Sequence, residues 1–365
     1  MKHARWLILI LLTVVSLPIA TQRPTVAQST GLTSCEPVAS VSATPAADRA
    51  PLVAAQPAAE LVDATFGYVP VTNFAPVYVA KELGYFAEQG LDVEVRAFNG
   101  GAEMIAELAT GRLDVGMGGA GPGLFNAVDR DLPITVIAPG HSEGVPVATP
   151  LVISKQACES GEIRSVADLR GKKVAINAPG ATEYWLSQAL STGGLTIADV
   201  DLETIPFSDA VTALGSGVID ASMLGEPTAT LAEQNGFGVR LATDFPVQNI
   251  TPTVVYANSE FLTDEADIAT KLMAAYLKAC RTIMEYGLSD PTVAAIVAEY
   301  TALPVDLITT SVAPLFSVDG RLDLAGLQTL QAFFRERGGL EYDVDIDPAT
   351  FVDTSFITAA ASSLG

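Results

Sequence analysis

From Leu61 onward the apolar positions follow two rhythms. In "LVDATFGYV" (61–69) and "LDVEVRAF" (91–98) they alternate as in strands, and in "APVYVAKELGYFAEQ" (75–89) and "AEMIAELATG" (102–111) they recur as on one face of a helix. Strands alternating with helices predict mainly parallel sheets covered by helices, an α/β fold. In "VAINAPGATEYW" (174–185) a strand stops at Pro179–Gly180 and a helical run begins near Thr182. A strand feeding a helix N-terminus through a Pro-Gly turn is a frequent way to build a small-ligand site.

The pattern is written twice. "ELATGRLDVGMGG" (107–119) reappears as "ALGSGVIDASMLG" (213–225), so that Leu108, Gly111, Asp114, Met117 and Gly119 match Leu214, Gly217, Asp220, Met223 and Gly225 at one offset. Tyr78 and Tyr184 share that offset. Two similar α/β lobes follow, with a crevice between them, and ligands sit beyond the carboxyl ends of strands in such folds. The loops after the strands supply the candidate contacts. In the first lobe these are the stretch around Asn73 and Phe74, Gly100, and Gly119, Ala120 and Gly121. In the second they are Gly180, Ala181, Thr182 and Glu183, then Phe207, then Glu226.

Composition narrows the partners. Acidic residues outnumber basic ones 42 to 20, which excludes nucleic acid and an anionic membrane surface as attractive partners. Nearly half the chain is hydrophobic, enough for a large core. At the N-terminus Lys2, His3 and Arg5 precede the apolar run Trp6 to Ala20, whose 15 residues fall short of the roughly 20 of a membrane span and suit an export signal. Residues 1–27 are therefore expected to be a signal peptide; an uncleaved anchor is the alternative. "LTSC" (32–35) fits a lipoprotein cleavage pattern, which would make Cys35 a candidate lipidation site, although it lies far beyond the apolar run. The Ala-, Pro-, Ser- and Thr-rich stretch 28–60 is expected to be a flexible tether. Cys158 and Cys280 have no CxxC spacing, so two buried free thiols are expected; a disulfide between them is the alternative.

Enzymatic chemistry finds little support. After residue 35 the single histidine is His141, and no GxSxG, HExxH or GxxxxGK[ST] occurs. "GMGGAGPG" (116–123) follows a strand but has neither the Lys-Ser/Thr ending of a phosphate loop nor GxGxxG spacing. No metal site or cofactor is expected.

With these residues laid out, the chain resembles the solute-binding proteins of bacterial ABC importers. The resemblance is to the group holding nitrate-, sulfonate- and taurine-binding proteins and the pyrimidine- or riboflavin-binding proteins related to THI5/NMT1. It is carried by "GYVPVTNFAPVYVAKELGYFAEQGLDVEV" (67–95), "ELATGRLDVG" (107–116), "SVADLRGKKVAI" (165–176), "EPTATLAEQ" (226–234) and "FVDTSFITAAASSLG" (351–365). The resemblance implies a two-lobed type II periplasmic-binding-protein fold. One lobe would hold 61–153 plus 253–365 and the other 154–252, with crossovers near 149–155 and 251–258. It also implies a monomeric, exported receptor that delivers a small organic molecule to a permease and its ATPase. A THI5-like pyrimidine-synthesis enzyme is the alternative of another class, and the cysteine-rich motif of those enzymes is missing here.

The resemblance places Tyr68, Asn73 and Phe74 where vitamin-binding relatives carry an aromatic residue, an amide and a ring-binding side chain. Aromatic faces with an amide suit a flat heterocycle. In anion-binding relatives hydroxyls and helix N-termini hold sulfonate or nitrate, a part open to Thr182. Glu183 and Glu226, if they faced the cleft, would repel an anion, so the expectation leans to a heteroaromatic ligand.

Overall fold

The computed structural model describes residues 32–36, 49–247 and 250–365. The expected export segment 1–27 lies outside them, and among the described residues no helix is long and apolar enough to cross a membrane. The chain first builds β1 (Val62–Tyr68), α1 (Ala75–Glu82), α2 (Tyr85–Glu88), β2 (Leu91–Ala97), α3 (Gly101–Ala109), β3 (Val115–Gly119), α4 (Pro122–Asp129), β4 (Ile134–Pro139) and the short β5 (His141–Ser142). It crosses to β6 (Leu151–Ser154), α5 (Lys155–Glu159), β7 (Lys173–Ile176), α6 (Ala181–Ser191), β8 (Asp201–Thr204), α7 (Phe207–Ser216), β9 (Ala221–Met223), α8 (Thr228–Gln234) and β10 (Gly238–Ala242). It returns through β11 (Thr253–Asn258) and ends in α9 (Ser259–Asp264), α10 (Ala266–Tyr286), α11 (Pro291–Thr301), α12 (Val305–Thr310), β12 (Leu315–Phe316), α13 (Leu324–Glu336) and α14 (Ser355–Leu364).

Two five-stranded sheets result, ordered β2-β1-β3-β11-β4 and β10-β6-β9-β7-β8. Their first-laid strands pair in parallel, β1 with β2 and β3 in one lobe, β7 with β8 and β9 in the other. The strands that enter after a crossing run the other way: β11 is antiparallel to β3 and β4, and β6 to β9 and β10. A chain arriving from the opposite lobe enters its sheet from the crevice end, and that reverses its direction.

The duplicated sequence marks duplicated structure. Gly111 and Gly217 follow α3 and α7 at φ +66° and +71°, a left-handed conformation that costs glycine nothing. Asp114 and Asp220 then accept the backbone N–H of Thr65 and Lys173 on the neighbouring strands, each at 2.8 Å, fixing sheet register. Leu108, Leu214, Met117 and Met223 are buried behind them. Burial of apolar side chains on both sheets and on the long α10 supplies the dominant stabilisation.

Three expectations about the N-terminal region and the cysteines are corrected. Cys35 is joined to Cys158 of α5 by a disulfide, so its sulfur is not available for a lipid thioether, and Cys158 is not a free thiol. Only Cys280 is free among the described residues; it is buried, and burial pushes its thiol up to about 12. The described parts of 28–60 are docked. The N–H of Leu32 donates to Arg164 O in the second lobe, and those of Ala55 and Ala58 donate to Leu83 O and Ala87 O in the first.

Candidate functional site

Four helices begin at the crevice. α3, α4 and α6 have glycine N-caps, Gly100, Gly121 and Gly180, and α7 has Pro206; none of the four is capped by a side chain. Elsewhere α9, α11 and α13 are capped by Asn258, Asp290 and Asp323, while α1, α5, α8, α10, α12 and α14 also lack a side-chain cap. No side chain caps the crevice ends, although Leu124, Glu183 and Asp209 donate their N–H to the Gly121, Gly180 and Pro206 carbonyls, and each N-terminus carries roughly half a positive charge. Glycine is needed there for approach: a Cβ on Gly121 would stand 2.9 Å from Gly180 Cα of the other lobe.

These ends enclose a cavity of about 100 Å³. Of the residues expected from sequence, Asn73, Phe74, Gly100, Gly119, Gly121, Gly180, Ala181, Thr182 and Phe207 line it. The remaining wall is made by residues the sequence did not single out for binding, chiefly His141, Thr149, Asn177, Trp185 and Thr253. Among the described residues no Asp, Glu, Lys or Arg lines it.

Four expected residues stand elsewhere. Tyr68 turns away to pack edge-on against Tyr78 and Tyr300, at 5.2 and 5.7 Å between ring centres. Ala120 is fully buried and spends its N–H on Pro252 O. Glu183 is held by Arg337 Nε at 3.0 Å. Glu226 is buried against Arg240 at 2.8 Å and also accepts the N–H of Val312 and both polar hydrogens of Thr230. Arginines drew both carboxylates out of the crevice, so the repulsion expected for an anion does not arise.

The cavity floor is a chain of polar contacts. One amide position of Asn73, assigned Nδ2, lies 3.0 Å from His141 Nε2 and 3.4 Å from Thr149 Oγ1. Thr253 Oγ1 accepts the backbone N–H of His141 and sits 2.7 Å from its Nδ1. Glu143 Oε1 is 3.6 Å from Nε2 and accepts the indole N–H of Trp185 at 2.9 Å. Burial alone would raise the Glu143 carboxyl, but hydrogen bonds from His141, Trp185 and Thr149 outweigh it and hold it below the ordinary range. The other amide atom of Asn73 has no protein partner, although the residue is only 6% exposed. In sequence, His141 carried a signal: it is the sole histidine past residue 3 and follows a strand. Its polar neighbours lie at Asn73 and Thr253, too far along the chain to be read.

A family model described as NMT1/THI5 like matches residues 71–287, more than half of the chain. The chain belongs to the NMT1/THI5-like family. Within it, the chain is 28% identical over 201 residues to the nitrate/nitrite binding protein NrtA of Nostoc sp., a match covering 51% of this chain and 45% of that one. It is 26% identical over 256 residues to the riboflavin-binding protein RibY of Chloroflexus aurantiacus, covering 68% and 69%. The matched region is thus less than half the length of the first of these relatives. Among solved structures, the alkanesulfonate-binding protein SsuA of Xanthomonas axonopodis superposes with a TM-score of 0.67 at 18% identity, over 81% of this chain and 99% of that one. The fold is not confined to binding proteins: the desulfurization enzyme DSZB superposes with a TM-score of 0.59 at 16% identity, over 83% and 100%.

Proposed function

We propose that this NMT1/THI5-like protein is the extracytoplasmic receptor of an ABC importer, closing its two lobes on a small molecule and handing it unchanged to a permease. The observation that carries this reading is the enclosed interlobe cavity on which four uncapped helix N-termini and the unpartnered amide of Asn73 converge. The N–H groups at such helix ends find acceptors on a bound ligand.

The ligand reading shifts from that drawn from sequence. With Glu183 and Glu226 withdrawn, the helix ends favour an acceptor-rich or anionic head group, while Phe74, Phe207 and Trp185 offer apolar contact to a flat or aliphatic body. A heteroaromatic compound bearing such a group satisfies both halves of the site.

Turnover is the competing reading. His141 lies within reach of Thr253 and Glu143, but Thr253 Oγ1 is engaged by the His141 backbone, and the one free thiol, Cys280, is buried on α10, outside the cavity lining. The test is a thermal-shift screen over nitrate, aliphatic sulfonates, riboflavin and thiamine-precursor pyrimidines, because a ligand bound only by the folded state raises Tm. A hit recovered chemically unchanged after prolonged incubation supports capture; conversion of the hit overturns it.

A further inference from the structure

The polar contacts around Asn73 can be connected in two ways, and they differ in how many groups go unsatisfied. With Nδ2 toward His141, Nε2 must be the lone-pair nitrogen and Nδ1 carries the hydrogen, donated to Thr253 Oγ1. Thr253 Oγ1 then accepts twice, because the His141 backbone N–H already points at it, and its own hydrogen has no acceptor. The Nε2 lone pair also faces Glu143 Oε1 at 3.6 Å, electron pair against electron pair.

A half-turn of the amide exchanges Oδ1 and Nδ2 without changing its shape. The Thr253 hydroxyl then donates to Nδ1, and Nε2–H donates to Asn73 Oδ1 with the Glu143 carboxylate behind it. The Thr149 hydroxyl, whose one hydrogen goes to Glu143, accepts from Nδ2 in the first arrangement and only faces Oδ1 at 3.4 Å in the second. Apart from that long contact, the second arrangement gives the His141 ring, Thr253 and Glu143 matched partners, and the group without a protein partner is Nδ2, a donor on a residue that lines the cavity.

We propose that Glu143 and His141 are positioning residues that hold Asn73 with its N–H₂ toward the cleft, so that the site selects a head group made only of acceptors, such as carboxylate or sulfonate, over its amide counterpart. The proposal rests on reading the cleft as the ligand site and names what that site prefers. Glu143 is itself fixed by the indole N–H of Trp185, which stands on α6 of the second lobe, and by the N–H of Ala148. The arrangement is therefore complete only while the lobes are together.

One test needs no ligand. His3 and His141 are the only histidines, so long-range proton–nitrogen NMR of histidine-labelled protein resolves the His141 ring. A hydrogen on Nε2 is expected; a bare Nε2 overturns the proposal. The second test titrates Trp185 fluorescence with benzoate against benzamide and methanesulfonate against methanesulfonamide. Wild-type protein should prefer the acid of each pair by about tenfold, the worth of one hydrogen bond to a charged group. Asn73→Asp should abolish that preference. His141→Gln, whose amide nitrogen can stand in for Nε2–H, should keep it, and His141→Asn should lose it. Preference for the amides, or an Asn73→Asp variant that still prefers the acids, overturns the proposal. Failure of all four probes to bind counts against the capture reading alone, since the nitrogen spectrum decides the arrangement of His141 independently.

Discussion

The guanidinium of Arg337, just past α13 in the first lobe, holds the Glu183 carboxylate on α6 of the second at 3.0 Å. The pair bridges the lobes at the N-terminal end of α6, the end that faces the cavity, with Glu183 itself outside the cavity lining. Because Arg337 is 36% exposed, the pair is worth about 0.5–1 kcal/mol, and salt screens it. Arg337→Ala should therefore raise Kd about two- to fivefold at low salt, with a smaller effect at about 0.5 M. Isothermal titration of any ligand found by the screen, at both salt concentrations, checks this. An effect that grows with salt would contradict it.

Gly121 and Gly180 meet where the lobes come together, and a Cβ on Gly121 would lie 2.9 Å from the Gly180 Cα. That neighbour is backbone and cannot swing aside. The Gly121 conformation itself, φ −129°, is open to any residue, so Gly121→Ala should fold normally. The variant should keep the unliganded Tm within a few degrees, show a larger radius of gyration in solution scattering, and bind at least about tenfold more weakly. Unimpaired binding would mean that closure does not bring these glycines together.

How much of this was legible in the sequence depended on whether a residue's task was local. Gly111 and Gly217 answer a backbone conformation, and Asp114 and Asp220 answer a strand end one element away, so both copies carry the same letters. The loops of Gly100, Gly121 and Gly180 could be placed at the cavity for the same reason. Glu183 and Glu226 could not be placed: first-turn acids look alike whether they face ligand, solvent or an arginine brought in by tertiary packing. Tyr68, expected at the site from the resemblance, packs instead with Tyr78 and with Tyr300, which comes from a distant stretch of chain. The partners of His141 and Cys35 come from distant stretches of chain, which spacing alone does not reveal.

The Cys35–Cys158 bond closes a separation of 123 residues and ties the N-terminal segment to the second lobe. A cross-link over so long a loop contributes about 2–4 kcal/mol, chiefly by restricting the unfolded chain. Cys35→Ser, or reduction of the native protein, should lower Tm by several degrees. Under denaturing, non-reducing conditions one thiol per chain, that of Cys280, should react; intact mass should show no lipid on Cys35. Two or three reactive thiols, or a diacylglyceryl adduct, would contradict the disulfide.

Glu143 supplies the last prediction, a dependence of stability on pH. Its carboxyl is buried, yet the hydrogen bonds it accepts hold it below its ordinary value of 4.5. The unfolded chain therefore takes up this proton first. The stabilisation is complete above about pH 4.5 and is lost as the pH falls through the lower native value. Glu143→Gln keeps an acceptor for Trp185 but removes the charge, and should cost about 1–3 kcal/mol at pH 7. The difference between wild type and variant, measured by urea unfolding from pH 7 to pH 3, should shrink as acid protonates Glu143 in the wild type. A gap that stays constant over that range would show that Glu143 is not held ionised by its neighbours.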